Sequence, residues 1–252
     1  IKKDTITSIA IGGFDGMHVA HQELFKKLDT NGGIVVIQND YTNLTPLSSR
    51  QKHISYPIYF YLLTNIKHLS AVQFVKLIEE EFPNLKKIVV GYDFKFGHLA
   101  AHNNDTLIRL FDGDVEIVDE YKIDNIPVHS QIIRSYLRNG NIEFANKLLG
   151  YNYTFFGLVV AGQGLGFKYF IPTININVTD FLIPQEGIYI TRTKLNEKIY
   201  DSVTFIGNRM TTDGKFAVET NILNKDFNSL IPKDVQVEFI KKIRDNKKYA
   251  KF

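Results

Sequence analysis

Apolar and polar positions alternate in two different rhythms along the chain, and the rhythm changes near residue 150. Before that point, short and almost uniformly apolar runs are separated by stretches with a helical repeat. "TSIAIGG" (7–13), "GGIVVIQ" (32–38), "LKKIVVGYD" (85–93) and "DVEIVD" (114–119) read as strands. Between them, His18 to Leu28 reads as a helix with Leu24, Phe25 and Leu28 on one face. "SAVQFVKLIEEEF" (70–82) predicts a helix capped by Ser70, and Asn104 to Phe111 another. "SQIIRSYLRNG" and "NIEFANKLLG" are two short helices, each closed by a glycine. Strands alternating with helices predict a parallel sheet with right-handed crossovers.

Beyond Gly150 the helical repeat disappears. "YTFFGLVVAG", "GIYITRTKL", "KIYDSVTFIG", "KFAVETNIL" and "DVQVEFIKKI" are strand-like and are separated by turn signals such as "NEK" and "TDG". Short strands in this number predict a small antiparallel barrel. The expected fold is therefore α/β plus β: a Rossmann-like parallel-sheet domain over residues 1–150 and a β-barrel over 151–252. No internal repeat, low-complexity tract or long linker interrupts the chain.

Composition narrows the function classes. Of the 252 residues, 44% are hydrophobic and 23% charged, which is ordinary for a globular protein. A net charge of +3 is a weak argument for nucleic acid, and the basic tail "KKIRDNKKYAKF" reads first as a solvated end. RNA binding by a basic barrel would need stacking aromatics on an exposed face, whereas these aromatics sit in strands that read as core. The absence of cysteine excludes disulfides, iron–sulfur clusters and thiol catalysis. No apolar run has membrane-spanning length, and the first residues lack the apolar core of a signal peptide, so a cytoplasmic protein is expected.

The first candidate chemistry lies in "IAIGGFDGMHVAHQELF" (9–25). A turn leaving a parallel strand sits at the carboxyl edge of the sheet, where open α/β folds bind ligands. Gly12, Gly13 and Gly16 let the backbone approach phosphates closely, and the helix that follows presents unpaired N–H groups to an anion. His18 and His21 fall one turn apart on one face and can donate to phosphate oxygens. The same residues also fit an ordinary βα turn with two solvated histidines. They fit half a zinc site as well, as does the pair His98 and His102, but no well-placed further ligand accompanies either pair.

At this point the residues carry a resemblance. "GGFDGMHVAH" resembles the G-x-F-D-G-x-H-x-G-H signature of the nucleotidylyltransferase domain in bacterial bifunctional riboflavin kinase/FMN adenylyltransferases, the FAD synthetases. "GYDFKFG" resembles that family's G-x-D-F-x-F-G motif, and "IIRSYLRNGNIEFANKLLGYNY" its run into the second domain. In the barrel half, "GLVVAGQGLGFKYFIPTINI" resembles the glycine-rich loop leading to P-T-A-N. "IPQEGIYI", "VTFIGNRMT" and "FAVETNIL" resemble the strands that follow, in family order. There are departures: Ala20 replaces a glycine, and "HSQIIR" keeps only Ser130, Ile133 and Arg134 of S-S-T-x-I-R. No F-x-P-H-P follows the second strand, and Phe167 and Phe170 replace Arg and Gly in the kinase loop.

The resemblance implies riboflavin phosphorylation to FMN and FMN adenylylation to FAD, with ATP and Mg²⁺. It assigns ATP phosphates to Gly12, Gly13, Phe14, Asp15, Gly16, Ser130 and Arg134, with His18 and His21 catalytic. It assigns the kinase cradle to Gly162, Gly164, Gly166, Lys168 and Asn175, the metal to Thr173, and the general base to Glu219. Asp93, Phe96 and Arg244 match flavin-pocket positions. The expected partners are these small molecules, not nucleic acid or membrane. Two alternatives stand beside this reading: a kinase whose adenylyltransferase domain is inactive or very slow, and a non-catalytic flavin- or nucleotide-binding protein.

Overall fold

The computed structural model describes residues 2–39, 42–160, 173–209, 214–223 and 233–247. Its chain divides into two compact units, Ile1–Ser130 and Gln131–Phe252.

The first unit is built on strand β1 (Ser8–Gly12), followed by helix α1 (Val19–Phe25), β2 (Gly32–Gln38), β3 (Ile58–Leu62) and the one-turn helix α2 (Leu63–Ile66). Then come α3 (Ala71–Glu81), β4 (Lys87–Gly91), α4 (Asn104–Leu110), β5 (Asp114–Val118) and the two-residue hairpin strands β6 (Lys122–Ile123) and β7 (Ile126–Pro127). The five-stranded parallel sheet has the order β3-β2-β1-β4-β5. Strand side chains alternate between two apolar layers. Ile9, Ile11, Val35, Ile88 and Val90 pack beneath α3 and α4 against Phe74, Ile78 and Leu107. Ala10, Ile34, Val36 and Val89 pack on the other face against Leu24, Phe25 and Leu28. This two-sided burial is why the strands read as continuous apolar runs.

Local signals set the helix ends. Ser70 caps α3 through a reciprocal box, its hydroxyl accepting the Gln73 N–H while the Gln73 side chain accepts the Ser70 N–H. The helix expected over His18 to Leu28 is shorter, with His18 serving as its cap. Strand β3, helix α2 and the β6–β7 hairpin are elements that the sequence pattern did not predict, as is the strand over Ile174–Asn177.

The second unit carries most of helix α5 (Ser130–Arg138), α6 (Ile142–Leu149) and strands β8 (Thr154–Val160), β9 (Ile174–Asn177), β10 (Gly187–Leu195), β11 (Lys198–Asn208), β12 (Phe216–Ile222) and β13 (Asp234–Arg244). The strands close into a barrel in the order β10-β11-β12-β9-β8-β13, every pair antiparallel. The compact units thus part near residue 130, ahead of the 150/151 division expected from the sequence. The reason is visible in Asn146 of α6, whose buried amide donates to the Phe239 carbonyl (2.9 Å) and accepts the Tyr153 N–H (2.7 Å). Those bonds tie α6 to the barrel.

The barrel interior is apolar around Tyr153, Phe155, Tyr189 and Phe239, with one polar seam. Buried hydroxyls run Thr193, Ser202, Thr191, Thr204, Thr220 across β10, β11 and β12, neighbours lying 2.8–2.9 Å apart. Each hydroxyl can both donate and accept, so the seam satisfies itself without water.

Candidate functional site

Strand β1 is flanked by β2 on one side and β4 on the other, so its carboxyl end lies where the sheet order reverses. The turn leaving it sits at the position where doubly wound sheets bind ligands. Its backbone is unusual: Phe14 (φ 45°), Gly16 (φ 86°) and Met17 (φ 40°) are all left-handed. A Cβ at Gly12 would lie 3.0 Å from the Phe14 ring, so any larger residue there would push that ring aside. Gly13 is exposed, and the Phe14 ring is buried against Phe25 and His21.

Asp15 is buried, and its carboxylate accepts the backbone N–H groups of Asn43, Leu44 and Thr45 at 2.9–3.2 Å. The Thr45 hydroxyl in turn accepts the Gly16 N–H at 2.7 Å, and Ser130 donates to the Asp15 carbonyl at 2.7 Å. Asp15 and Ser130, expected at the ATP phosphates, therefore hold the turn in shape through these bonds. An anionic carboxylate committed to three N–H groups is a fastening.

The histidines are fixed with the turn. His18 Nδ1 accepts the His21 N–H at 3.4 Å. The two imidazoles stack at 3.4 Å between centroids. Burial, then the nearby His18, Arg50 and His129, hold His21 well below the usual histidine range, so its ring is neutral at pH 7. Its Nδ1 is buried with no hydrogen-bond partner among the described residues.

Asp93 is exposed in the turn after β4. Phe96 is 5% exposed and packs against Phe74 and Phe94, so it supports that turn from the core. Arg134 is half-buried on α5, in the second unit.

In the barrel, strand pairing sets Glu219 of β12 opposite Asn175 of β9. Arg209, just past β11, joins them: its Nε donates to Glu219 Oε1 at 2.5 Å, and its Nη2 donates to Asn175 Oδ1. Asn175 and Glu219 point out of the barrel, since Ile174 and Thr220 beside them point inward and are buried, and Arg209 meets them there. Thr173 is exposed immediately before β9, and Arg244 ends β13 with Nη1 donating to the Asp245 carbonyl. Gly162, Gly164, Gly166 and Lys168 lie outside the described residues.

Sequence reasoning singled out neither Arg209 nor Arg50. Arg209 was within reach, because it stands in the quoted "VTFIGNRMT" stretch. Arg50 lies in "LSSRQKH", whose polar pattern reads as surface, yet its side chain is wholly buried. No group of three or more His, Cys, Asp or Glu that could hold a metal forms among the described residues.

A sequence model of the riboflavin kinase family matches residues 149–252. The chain is 29% identical to the bifunctional riboflavin kinase/FMN adenylyltransferase of Listeria monocytogenes, over 86% of this chain and 77% of that protein. It is 26% identical to the Bacillus subtilis protein of the same name, over 99% of this chain and 88% of that one. The chain is similar to these proteins along nearly its whole length. In this chain a parallel-sheet unit is followed by a closed antiparallel barrel, and the riboflavin kinase match falls on the barrel half. A solved structure titled as a macrolide-efflux protein from Streptococcus pneumoniae superposes with a TM-score of 0.85 at 26% identity, covering 98% of this chain and 89% of that one. Among the described residues no helix is long and apolar enough to cross a membrane.

Proposed function

We propose that the chain phosphorylates riboflavin to FMN in its barrel and adenylylates FMN to FAD at the turn after β1, using ATP for both. The functional division is placed at 150/151, a boundary supported by the family match beginning at residue 149. The observation that carries the kinase reading is the convergence of Glu219 and Asn175 from neighbouring strands with Arg209 just past a third, beside Thr173.

In the kinase step the ribityl 5′-hydroxyl oxygen attacks the γ-phosphorus of ATP, ADP leaves, and the hydroxyl proton passes to the Glu219 carboxylate. Arg209 aims that carboxylate and holds Asn175 in register with it. The hydroxyl of Thr173 and the amide oxygen of Asn175 are hard neutral donors, which suit a Mg²⁺ ion that takes its remaining oxygens from phosphates and water. Bound there, Mg²⁺ would neutralise phosphate charge. In the adenylyl step an FMN phosphate oxygen attacks the α-phosphorus of ATP and pyrophosphate leaves. The Gly13–Gly16 backbone, His18 and His21 stabilise the departing charge. A cytoplasmic location is part of the same proposal, because ATP and riboflavin are soluble small molecules.

The test is incubation of the full chain with riboflavin and Mg-ATP, followed by chromatography of FMN and FAD. Glu219→Gln should lower FMN formation by ~10²–10⁴-fold, the usual worth of a general base. FAD formation from supplied FMN should be unaffected. Undiminished phosphorylation by the variant would remove Glu219 from the mechanism. A second reading, a kinase with little or no adenylyltransferase activity, is favoured by the reduced "HSQIIR" motif. It predicts FMN without FAD from the wild type.

A further inference from the structure

Arg50 is an expensive residue for the sheet unit to keep. Its side chain is wholly buried, and among the described residues it forms no ion pair. Removing a guanidinium from water without a direct counter-ion costs several kcal/mol, and a well-packed apolar residue would be the more stable choice. Nε donates to the Phe14 carbonyl at 3.3 Å, Nη2 to the Gly13 carbonyl at 3.5 Å, and Nη1 to Gln38 Oε1 at 2.9 Å. The Phe60 ring covers it at 5.8 Å. Two of these acceptors are backbone carbonyls of the candidate phosphate turn.

Those bonds dictate which way the turn's peptides face. In a trans peptide the carbonyl and the following N–H point in opposite directions, and no peptide among the described residues is cis. With the Gly13 and Phe14 carbonyls drawn inward to Arg50, the N–H groups of Phe14 and Asp15 are aimed away from it. The Phe14 carbonyl also accepts the Met17 N–H at 3.3 Å within the turn, and Arg50 adds a second donor there and reaches the Gly13 carbonyl as well. Gly12 and Gly13 carry no side chain to resist a peptide flip, and Phe14 already sits at a left-handed φ. A flipped turn would turn carbonyl oxygens outward, toward an incoming anion.

We infer that Arg50 is a positioning residue for adenylyl transfer, its buried fork fixing the peptide polarity of the Gly13–Asp15 turn so that N–H groups face the nucleotide phosphates. The inference rests on the proposed adenylyl-transfer reading of this turn. Asp15 completes the device from the other end of the same segment. Its carboxylate fastens the backbone of residues 43–45, so the stretch from Asn43 to Arg50 grips the turn at both carboxylate and carbonyls. Asp15 also lies close enough to favour the charged form of Arg50, against the burial that disfavours it.

The experiment compares the full-length wild type with Arg50→Lys and Arg50→Met. FAD formation from FMN and ATP gives kcat and KM, calorimetry gives pyrophosphate affinity, thermal melting followed by circular dichroism monitors folding of the sheet unit, and riboflavin phosphorylation monitors the barrel. Arg50→Met should lower kcat for FAD formation on the order of 10²-fold, the effect of misplacing an anion-stabilising donor. KM for FMN should hold, pyrophosphate binding should weaken, and riboflavin phosphorylation should persist. Arg50→Lys, which keeps the charge and loses the fork, should fall between the two. A purely structural role would lower thermal stability while leaving kcat per folded molecule intact, and that result overturns the inference. Should Arg50→Met fail to fold, a wild-type kcat in Arg50→Lys overturns it equally, and a reduced one supports it. Should the wild type form no FAD, the proposed reaction fails; unchanged pyrophosphate affinity in Arg50→Met then overturns the role of Arg50 as well, and weakened affinity supports it.

Discussion

Single residues in the sheet unit carry two tasks at once, and His18 shows how to separate them. Its Nδ1 caps α1, and in the proposed adenylyl step its ring also meets phosphate. His18→Ala should cost about 0.5–2 kcal/mol through loss of the cap and slow FAD formation by ~10²–10³-fold through loss of the donor. His18→Asn restores an acceptor at the cap, so urea denaturation should return toward wild type while the rate stays low. Recovery of both together would mean that His18 serves only the fold. The residue types of this site were legible because glycines and histidines are conspicuous between a strand and a helix. The burial of Asp15 and Arg50 was not, since both make their bonds to backbone some thirty residues away in sequence. Local pattern carries no signal of a partner at that distance.

At the scale of elements, the strands that sequence periodicity found are those with a strong burial rhythm. Strand β3 escaped because it lies at the sheet edge, with Phe60 and Leu62 exposed and no alternation along "IYFYL". Strand β9 escaped because "ININ" is short and gains its identity from pairing with β12 and β8. The seam of hydroxyls between β10, β11 and β12 gives an element-scale prediction. Thr191→Val takes one partner from Ser202 and one from Thr204, leaving them Thr193 and Thr220, and each lost bond costs about 0.5–1.5 kcal/mol. Replacing Thr191, Thr193, Ser202, Thr204 and Thr220 together by apolar residues of similar shape should cost far less than the sum of the single losses. Additive urea midpoints across that series would contradict the seam as one cooperative unit.

For the molecule as a whole, fold class and element order were legible because two periodicities, near 3.6 and 2, occupy separate halves of the chain. The division near residue 130 was not, because it depends on the bonds that Asn146 makes to distant backbone. Stability should also respond to acid. Burial, with help from Lys52, holds His53 at about 4, against an ordinary value of 6.5. The unfolded chain therefore takes up a proton below pH 6.5 that the folded chain refuses until about pH 4, so stability is fully present above 6.5 and falls as pH drops toward 4. The urea midpoint should decline across that window, and His53→Gln should shallow the decline; an unchanged slope would remove His53 as its source. The central place of β1 has a consequence of a different kind. Hydrogen-bonded on both flanks, the strand can release its amide protons to solvent only when the sheet itself opens. Deuterium should therefore enter Ala10 and Ile11 among the last positions of the unit and Tyr59 to Tyr61 of the edge strand sooner, making the backbone that leads into the phosphate turn the part of the sheet slowest to forget its native state.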